Sequence, residues 1–306
     1  MGSAGRTMAR TTGARVVRTT IAALTALAVL ALAGACADAP EAGPPAAVVV
    51  AEPVAVDKAS PPAVPAPPAA DLAALPVVDL LHVVPGLPGT DGLPQRANDD
   101  PALGRWQTAV VVRDTAARAA PAGTPVGVVP ALTLEVRTTL PVIDQRGRWL
   151  RVMVATRSAL PSQDVAQVNG RSVWIDAGDT EAAGTDWTIA VDVAAQTITV
   201  DDGTTTHVLP VKATGAPATP TPHVPAFLLG TRWLEPGTTT PRVLLLSTQS
   251  ETIDHYDKPT GTAVTAIHTT TLRGTGAVSN GCVRVSDEVL DLVWQAPAGT
   301  VVTTVG

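Results

Sequence analysis

The chemistry in this 306-residue chain gathers around one cysteine. Cys282 stands in "HTTTLRGTGAVSNGCVRV", residues 268–285, and the sequence holds only one other cysteine, Cys36. A thiol becomes a nucleophile when ionised, and near neutral pH that takes a nearby base or positive charge. His268 closes a predicted strand upstream, and Gly274, Gly276 and Gly281 let the loop turn back toward it. Gly281, reached through Ser279 and Asn280, permits a tight turn that exposes Cys282. The backbone N–H groups of the Gly281–Cys282 turn are then aimed at a developing oxyanion. Arg284, two residues on in an extended segment, projects to the side of Cys282. There its charge favours the thiolate or grips a substrate carboxylate. Each residue alone has a plain structural role: a small core Cys, a hydrogen-bonded His, an Arg at the later helix. Their coincidence in one short stretch is what points to nucleophilic catalysis.

His255, in "ETIDHYDKP", is the competing base, and His207 and His223 lie further from the pattern. The histidines are scattered and no carboxylate pair stands at zinc spacing, so neither a metal nor a cofactor is expected. The formal net charge is −6, with no long basic run beyond the first residues. Nucleic-acid binding by phosphate neutralisation therefore has no support.

The elements that must position these groups are strands. Twenty-eight prolines, one Tyr, one Phe and abundant Ala, Val and Thr favour short strands and turns over long amphipathic helices, so the fold class is mainly β. A first unit is expected over 107–184, with strands in "TAVVVRD", "TPVGVV", "LTLEVRT", "WLRVMVAT" and "RSVWIDA". Its strand pattern predicts that 107–179 folds without the carboxy-terminal half. Trp149 and Trp174 either fill the core of this unit or line a peptide groove, and the core is the better expectation. A second unit, 185–306, opens with "WTIAVDVAAQTITVDDGTTTHVLPVKAT", two alternating runs around Asp202-Gly203, a hairpin signal. Strands follow at "RVLLLST", "VTAIHTT", "GCVRV" and "GTVVTTV". One short helix starts at Ser286 as N-cap, with Asp287 and Glu288 in its first turn and Val289, Leu290, Leu292 and Val293 as its apolar face.

The amino terminus reads as an address. Four arginines precede "TIAALTALAVLALAGAC", an apolar run too short to span a membrane, which needs about 20 residues. Residues 1–36 thus form an export signal, and its end resembles the lipobox of bacterial lipoproteins, with Ala33 where a leucine is usual. That resemblance implies lipidation of Cys36 and anchoring to the outer face of the cell membrane. A lipidated Cys36 cannot pair with Cys282. Residues 37–75, rich in Ala and Pro, form a semi-rigid spacer, and 76–106 an irregular connecting segment.

"IHTTTLRGTGAVSNGCVRV" resembles the signature of L,D-transpeptidase (YkuD-type) catalytic domains, which runs from a histidine through a glycine-containing loop to S-H-G-C and Arg or Asn. His268, Ser279, Gly281, Cys282, Val283 and Arg284 match, and upstream "VKATGAPATPTP" matches the family's T-G…T-P-T segment with Gly215, Thr219, Pro220 and Thr221. The chain departs from the pattern at Asn280, Thr269 and Pro222-His223. The stretch "QRGRWLRV" with "NGRSVWID" is similar to bacterial SH3-like modules. These resemblances imply an SH3-like small barrel followed by a YkuD-type β-sandwich or barrel. They further imply catalytic Cys282 and His268, with Ser279, Asn280, Gly281 and Arg284 toward substrate. The implied partners are peptidoglycan stem peptides, a donor tetrapeptide and an acceptor stem. An amine acceptor gives a 3-3 cross-link and water gives an L,D-carboxypeptidase. The alternative of another class is a tethered, non-catalytic wall-binding protein.

Overall fold

A computed structural model describes residues 70–306 apart from 91, 92, 94, 95, 235–237 and 273; the segment expected to be an export signal, Cys36 and most of the expected spacer lie outside the described residues. The described residues belong to one compact unit. It is mainly β, built on two sheets that each enclose an apolar core.

The first sheet is formed by β1 (Trp106–Val111), β2 (Thr115–Arg118), β3 (Pro125–Val129), β6 (Thr139–Arg146), β7 (Trp149–Val154), β8 (Arg171–Asp176) and β9 (Thr180–Thr185), with β4 (Leu132–Thr133) and β5 (Val136–Arg137) as a separate ribbon. Its order is β3-β2-β8-β7-β6-β1-β9. β8 passes through a single 3₁₀ turn at Ala177–Asp179 into β9, yet the two stand far apart in that order. Only a sheet that curls on itself allows this. Trp149 is fully buried and Trp174 nearly so, each under an arginine (Arg118 and Arg146), so both are core residues. The strand expected over "LTLEVRT" is instead the β4–β5 hairpin: Leu134 and Glu135 take φ of 51° and 65°, which reverses the chain.

The core under 107–179 also takes side chains from outside that range. Val78, Leu80, Val84 and Leu87, from the irregular segment before β1, fill the first core, and so does Phe227 from the second sheet. Alternation inside a segment therefore shows which face is apolar but not what covers it.

The second sheet runs β12-β11-β10-β19-β14-β15-β16-β18-β13-β17. Its strands are β10 (Thr188–Asp192), β11 (Thr197–Asp201), β12 (Thr206–Pro210), β13 (Ala213–Gly215), β14 (Ala226–Trp233), β15 (Arg242–Gln249), β16 (Val264–His268), β17 (Gly276–Ser279), β18 (Val283–Arg284) and β19 (Val301–Val305). The expected Asp202-Gly203 turn joins β11 to β12, and a second turn at 193–196 adds β10, giving a three-stranded meander. β14 carries no period-two signal because it is covered on both sides: Phe227 enters the first core and Leu228 the second. Helix α1 (Asp287–Val293) starts where expected, with Ser286 Oγ accepting from Val289 N at 3.3 Å and Val289, Leu290 and Val293 buried.

A buried polar seam joins the two sheets at the loop between β15 and β16. Arg157, 2% exposed, donates to the carbonyls of Asp254 and Gly261, each at 2.9 Å. Asn169 donates to Gln249 O at 2.8 Å and accepts from Gln249 N at 2.9 Å. Ser162 donates from its backbone and its hydroxyl to the Asp254 carboxylate. The connection between β7 and β8 thus grips the loop that leads into β16, the strand ending at His268.

Candidate active site

Cys282 and His268 are brought together by one parallel strand pair. β16 and β18 pair with Ile267 opposite Val283 and His268 opposite Arg284. Cys282 therefore sits level with Ala266, two residues or about 6.6 Å along the strand direction from the level of His268. Arg284 stands beside His268, and its charge acts on both His268 and Cys282. The three groups form one electrostatic cluster.

The loop carrying Cys282 is braced from both ends by β13 and the residue before it, β13 lying between β17 and β18. Lys212 N donates to Arg284 O at 2.7 Å on one side, and Gly276 N donates to Lys212 O at 2.9 Å on the other. The segment after β13 then folds under the loop. Ala216 N and Thr219 Oγ1 both donate to Ser279 O, at 2.9 and 2.8 Å, and Gly215 N donates to Thr221 Oγ1 at 2.9 Å. Gly215 has no room for a side chain, since a Cβ there would lie 2.3 Å from Thr221 N and 2.5 Å from Thr219 O. The glycine and threonines of "TGAPATPT" are thus the underside of the Cys282 loop.

Ser279 is 2% exposed and turned inward: its hydroxyl donates to Cys282 O at 2.6 Å and accepts from Gly281 N at 3.2 Å. It braces the loop, where the sequence had suggested a residue facing substrate. The same bond engages the Gly281 N–H, so of the two amides expected to face an oxyanion, that of Cys282 remains the candidate. Gly281 itself takes φ of 102°, a left-handed turn that a side chain would strain, and a Cβ there would press on Pro220 O and Thr265 Cγ2 at 3.3 Å. Asn280 is exposed at the tip of the turn, and Arg284 is half-buried with its Nε lacking a hydrogen-bond partner.

His268 is 8% exposed, and its Nδ1 lies 2.8 Å from Thr269 O. A carbonyl only accepts, so Nδ1 carries the proton and Nε2 keeps its lone pair. Burial holds the ring below the ordinary histidine value of 6.5; the Thr269 carbonyl opposes this and the Arg284 charge adds to it. Cys282 is partly buried. Burial pushes its thiol above 9.0, while a backbone hydrogen bond from Ala266 and the Arg284 charge pull it back. Because the Ala266 bond favours the thiolate, it must come from the N–H. At neutral pH the site rests as a neutral thiol beside a neutral imidazole, which is the starting point for general-base activation rather than for a preformed ion pair.

The other histidines are elsewhere. His255 is exposed, bonded to Gly261 O at 3.0 Å in the loop held by Arg157. His207, on β12 at the far edge of the sheet from β17, pairs with Val200 of β11. His223 is exposed and follows Pro222, whose ring lies near Gly281. Among the described residues, no group of three or more His, Cys, Asp or Glu is arranged to hold a metal ion. Sequence reasoning missed the Thr269 carbonyl and the Ala266 N–H, because both are backbone groups and leave no mark in residue type.

No protein-family model and no curated protein matches this chain. Solved structures do. The L,D-transpeptidase (Yku) from Stackebrandtia nassauensis is similar at 19% identity and a TM-score of 0.29, over 39% of this chain and 55% of that one. An L,D-transpeptidase from Mycobacterium smegmatis is similar at 14% identity and a TM-score of 0.33, over 52% and 91%. L,D-transpeptidase 3 from Mycobacterium tuberculosis, solved in complex with a faropenem-derived adduct, is similar at 13% identity and a TM-score of 0.34, over 52% and 92%.

Proposed function

We propose that this chain is an L,D-transpeptidase acting on peptidoglycan stem peptides through a Cys282 thioester. The observation that carries the reading is the parallel pairing of β16 with β18. It sets His268, with Nδ1 fixed by the Thr269 carbonyl, and Cys282 on neighbouring strands beside Arg284. The sequence signature from His268 to Arg284 supports the same assignment.

In this reading His268 Nε2 takes the proton from the Cys282 thiol as sulfur attacks the carbonyl joining the third stem residue to D-Ala. The Ala266 N–H and the Arg284 charge stabilise negative charge on sulfur as it develops. The Cys282 N–H holds the oxyanion. Collapse expels D-Ala, whose amine takes the proton back from His268, and leaves an acyl group on Cys282. The side-chain amine of a second stem then attacks the thioester, His268 removes its proton, and a 3-3 cross-link forms with Cys282 regenerated as the thiol. Water in place of the amine gives hydrolysis.

The curled first sheet, with its 3₁₀ turn between β8 and β9, supports reading the middle region as an SH3-like module. The export signal with Cys36 at its end supports a lipid-anchored protein at the outer face of the membrane, where the substrate lies. Incubation of the purified protein with disaccharide-tetrapeptide and mass analysis of the products tests the function. A cross-linked dimer with loss of one D-Ala is expected, and full recovery of unchanged substrate would overturn the proposal.

A further inference from the structure

The strand register lays a row of side chains across the second sheet. Arg232 pairs with Val243, Val243 with His268, and His268 with Arg284; the row one level along runs Gly230, Leu245, Ala266, and so to the level of Cys282. Leu244 and Ile267 point into the core shared with Val289 and Leu290 of α1, so these two rows, each offset by one residue from that pair, lie on the opposite face. The β4–β5 ribbon seats on this face at its β14 end. A Cβ on Gly230 would meet Val136 Cγ1 at 2.9 Å, and Arg232 Nη1 donates to Leu134 O at 3.4 Å. The tip that supplies this carbonyl holds Leu134 and Glu135 in the strained left-handed region, which fixes Arg232 beside it before any ligand arrives.

Arg232 is half-buried, and its remaining donors meet no partner among the described residues. Arg284, at the other end of the row, pairs with no carboxylate among them either, and its buried Nε makes no hydrogen bond. Arg96, Arg113, Arg146, Arg148 and Arg242 by contrast all hold carboxylates. Two guanidiniums without carboxylate partners on the Cys282 face, in a chain of net charge −6, suit an anionic ligand.

We propose that Arg232 grips a free carboxylate of the stem peptide, one or two residues upstream of the attacked carbonyl, and so selects stems that carry the acid there over stems that carry the amide. This deepens the function proposed above and rests on it. A planar guanidinium meets a carboxylate with two parallel N–H···O bonds, whereas a carboxamide offers it one acceptor and no charge. Cys282 and Arg232 differ by three strand spacings and two residues, about 14 Å across and 6.6 Å along before the sheet curls. An extended stem advances about 3.3–3.6 Å per residue, so a carboxylate one or two residues upstream covers part of that span and the long arginine side chain covers the rest. The stem then crosses a floor of Val243 and Leu245 from β18 toward β14, and Arg284, on the strand of Cys282 itself, is left for the carboxylate of the departing D-Ala.

The test uses the full-length protein as Cys282→Ala, which binds without turnover, and two stem tetrapeptides that differ at the second residue, one with a free carboxylate and one with the carboxamide. Titration calorimetry is expected to show the acid bound about 10-fold or more tighter than the amide, the amount one charge-assisted bond supplies. Adding Arg232→Gln should bring the two affinities to near equality, and Arg232→Lys should keep part of the preference. With Cys282 intact, Arg232→Gln should raise KM for the acid form by the factor lost in binding, with kcat carrying little of the change. A preference that survives Arg232→Gln, no preference before it, or equal weakening of both peptides by it would overturn the clamp, the last being what a merely structural arginine gives. If a carbapenem leaves Cys282 unmodified and no D-Ala is released while the Arg232-dependent preference holds, the catalytic proposal fails and the clamp stands.

Discussion

Substitution of Ser279 by alanine isolates the bracing of the Cys282 loop from the proposed chemistry. The hydroxyl is 2% exposed and makes two bonds, to Cys282 O at 2.6 Å and from Gly281 N at 3.2 Å. Each such bond contributes about 1 kcal/mol net, and a buried group left without a partner costs about 1–3 kcal/mol. Gly281 is buried and held at φ 102°, so its N–H has little freedom to find another acceptor. Ser279→Ala should therefore lose about 2–4 kcal/mol of stability, read as a drop in Tm of about 2–4 °C per kcal/mol for a unit of this size. The Cys282 carbonyl is released at the same time, and with it the angle at which the thiol and N–H face the substrate. Carbapenem acylation should slow by at least about tenfold even well below the new Tm, since misplacement by about 1 Å costs up to about 10²-fold. Thermal unfolding and stopped-flow acylation of one preparation measure both. Wild-type Tm and wild-type acylation would refute the bracing role; a reduced Tm with unchanged acylation would show that the loop does not orient the nucleophile.

Four further outcomes are expected. Because His268 is held below 6.5, the acid limb of the acylation rate should fall below pH 6.5; stability should likewise drop as pH falls through 6.5, since the unfolded histidine takes a proton before the folded one, and His268→Gln should flatten that drop in urea titrations at pH 5 and 7. Arg157→Ala removes two charge-assisted bonds to the 254–261 loop and should cost about 3 kcal/mol or more in urea unfolding, whereas an unchanged midpoint would sever the seam between the sheets. Gly215→Ala drives a Cβ against the backbone of Thr219–Thr221 and should reduce acylation together with Tm, detectable in the same two assays. A fragment spanning 107–184 lacks Val78, Leu80, Val84, Leu87 and Phe227, so its circular dichroism melt should be broad or absent, while a fragment beginning at residue 70 and continuing to 306 should unfold cooperatively.

Local signals were readable where one side of an element faces solvent. The Ser286 cap and apolar face of α1, the Asp202-Gly203 turn and the strands at "RVLLLST" and "VTAIHTT" all carry such contrast, and the structure has them. β14 was not readable, because a strand buried between two cores loses its alternation. "LTLEVRT" read as one strand because its reversal depends on left-handed Leu134 and Glu135, residue types that do not announce a turn. At the site, residue type and loop glycines pointed to Cys282 and His268 lying close, and the structure has them on neighbouring strands. The inward turn of Ser279, the engagement of the Gly281 N–H and the Thr269 and Ala266 backbone contacts depend on strand register, which residue type does not encode.

The central claim is that Cys282 is the nucleophile. Its most direct test is mass spectrometry of the protein after exposure to a carbapenem, with tryptic mapping of the peptide Gly274–Arg284. One adduct, confined to Cys282, abolished in Cys282→Ala and formed about 10²–10⁴-fold more slowly in His268→Ala, is the expected result. An unmodified Cys282 in the folded wild type, or an adduct that persists in Cys282→Ala, would contradict it.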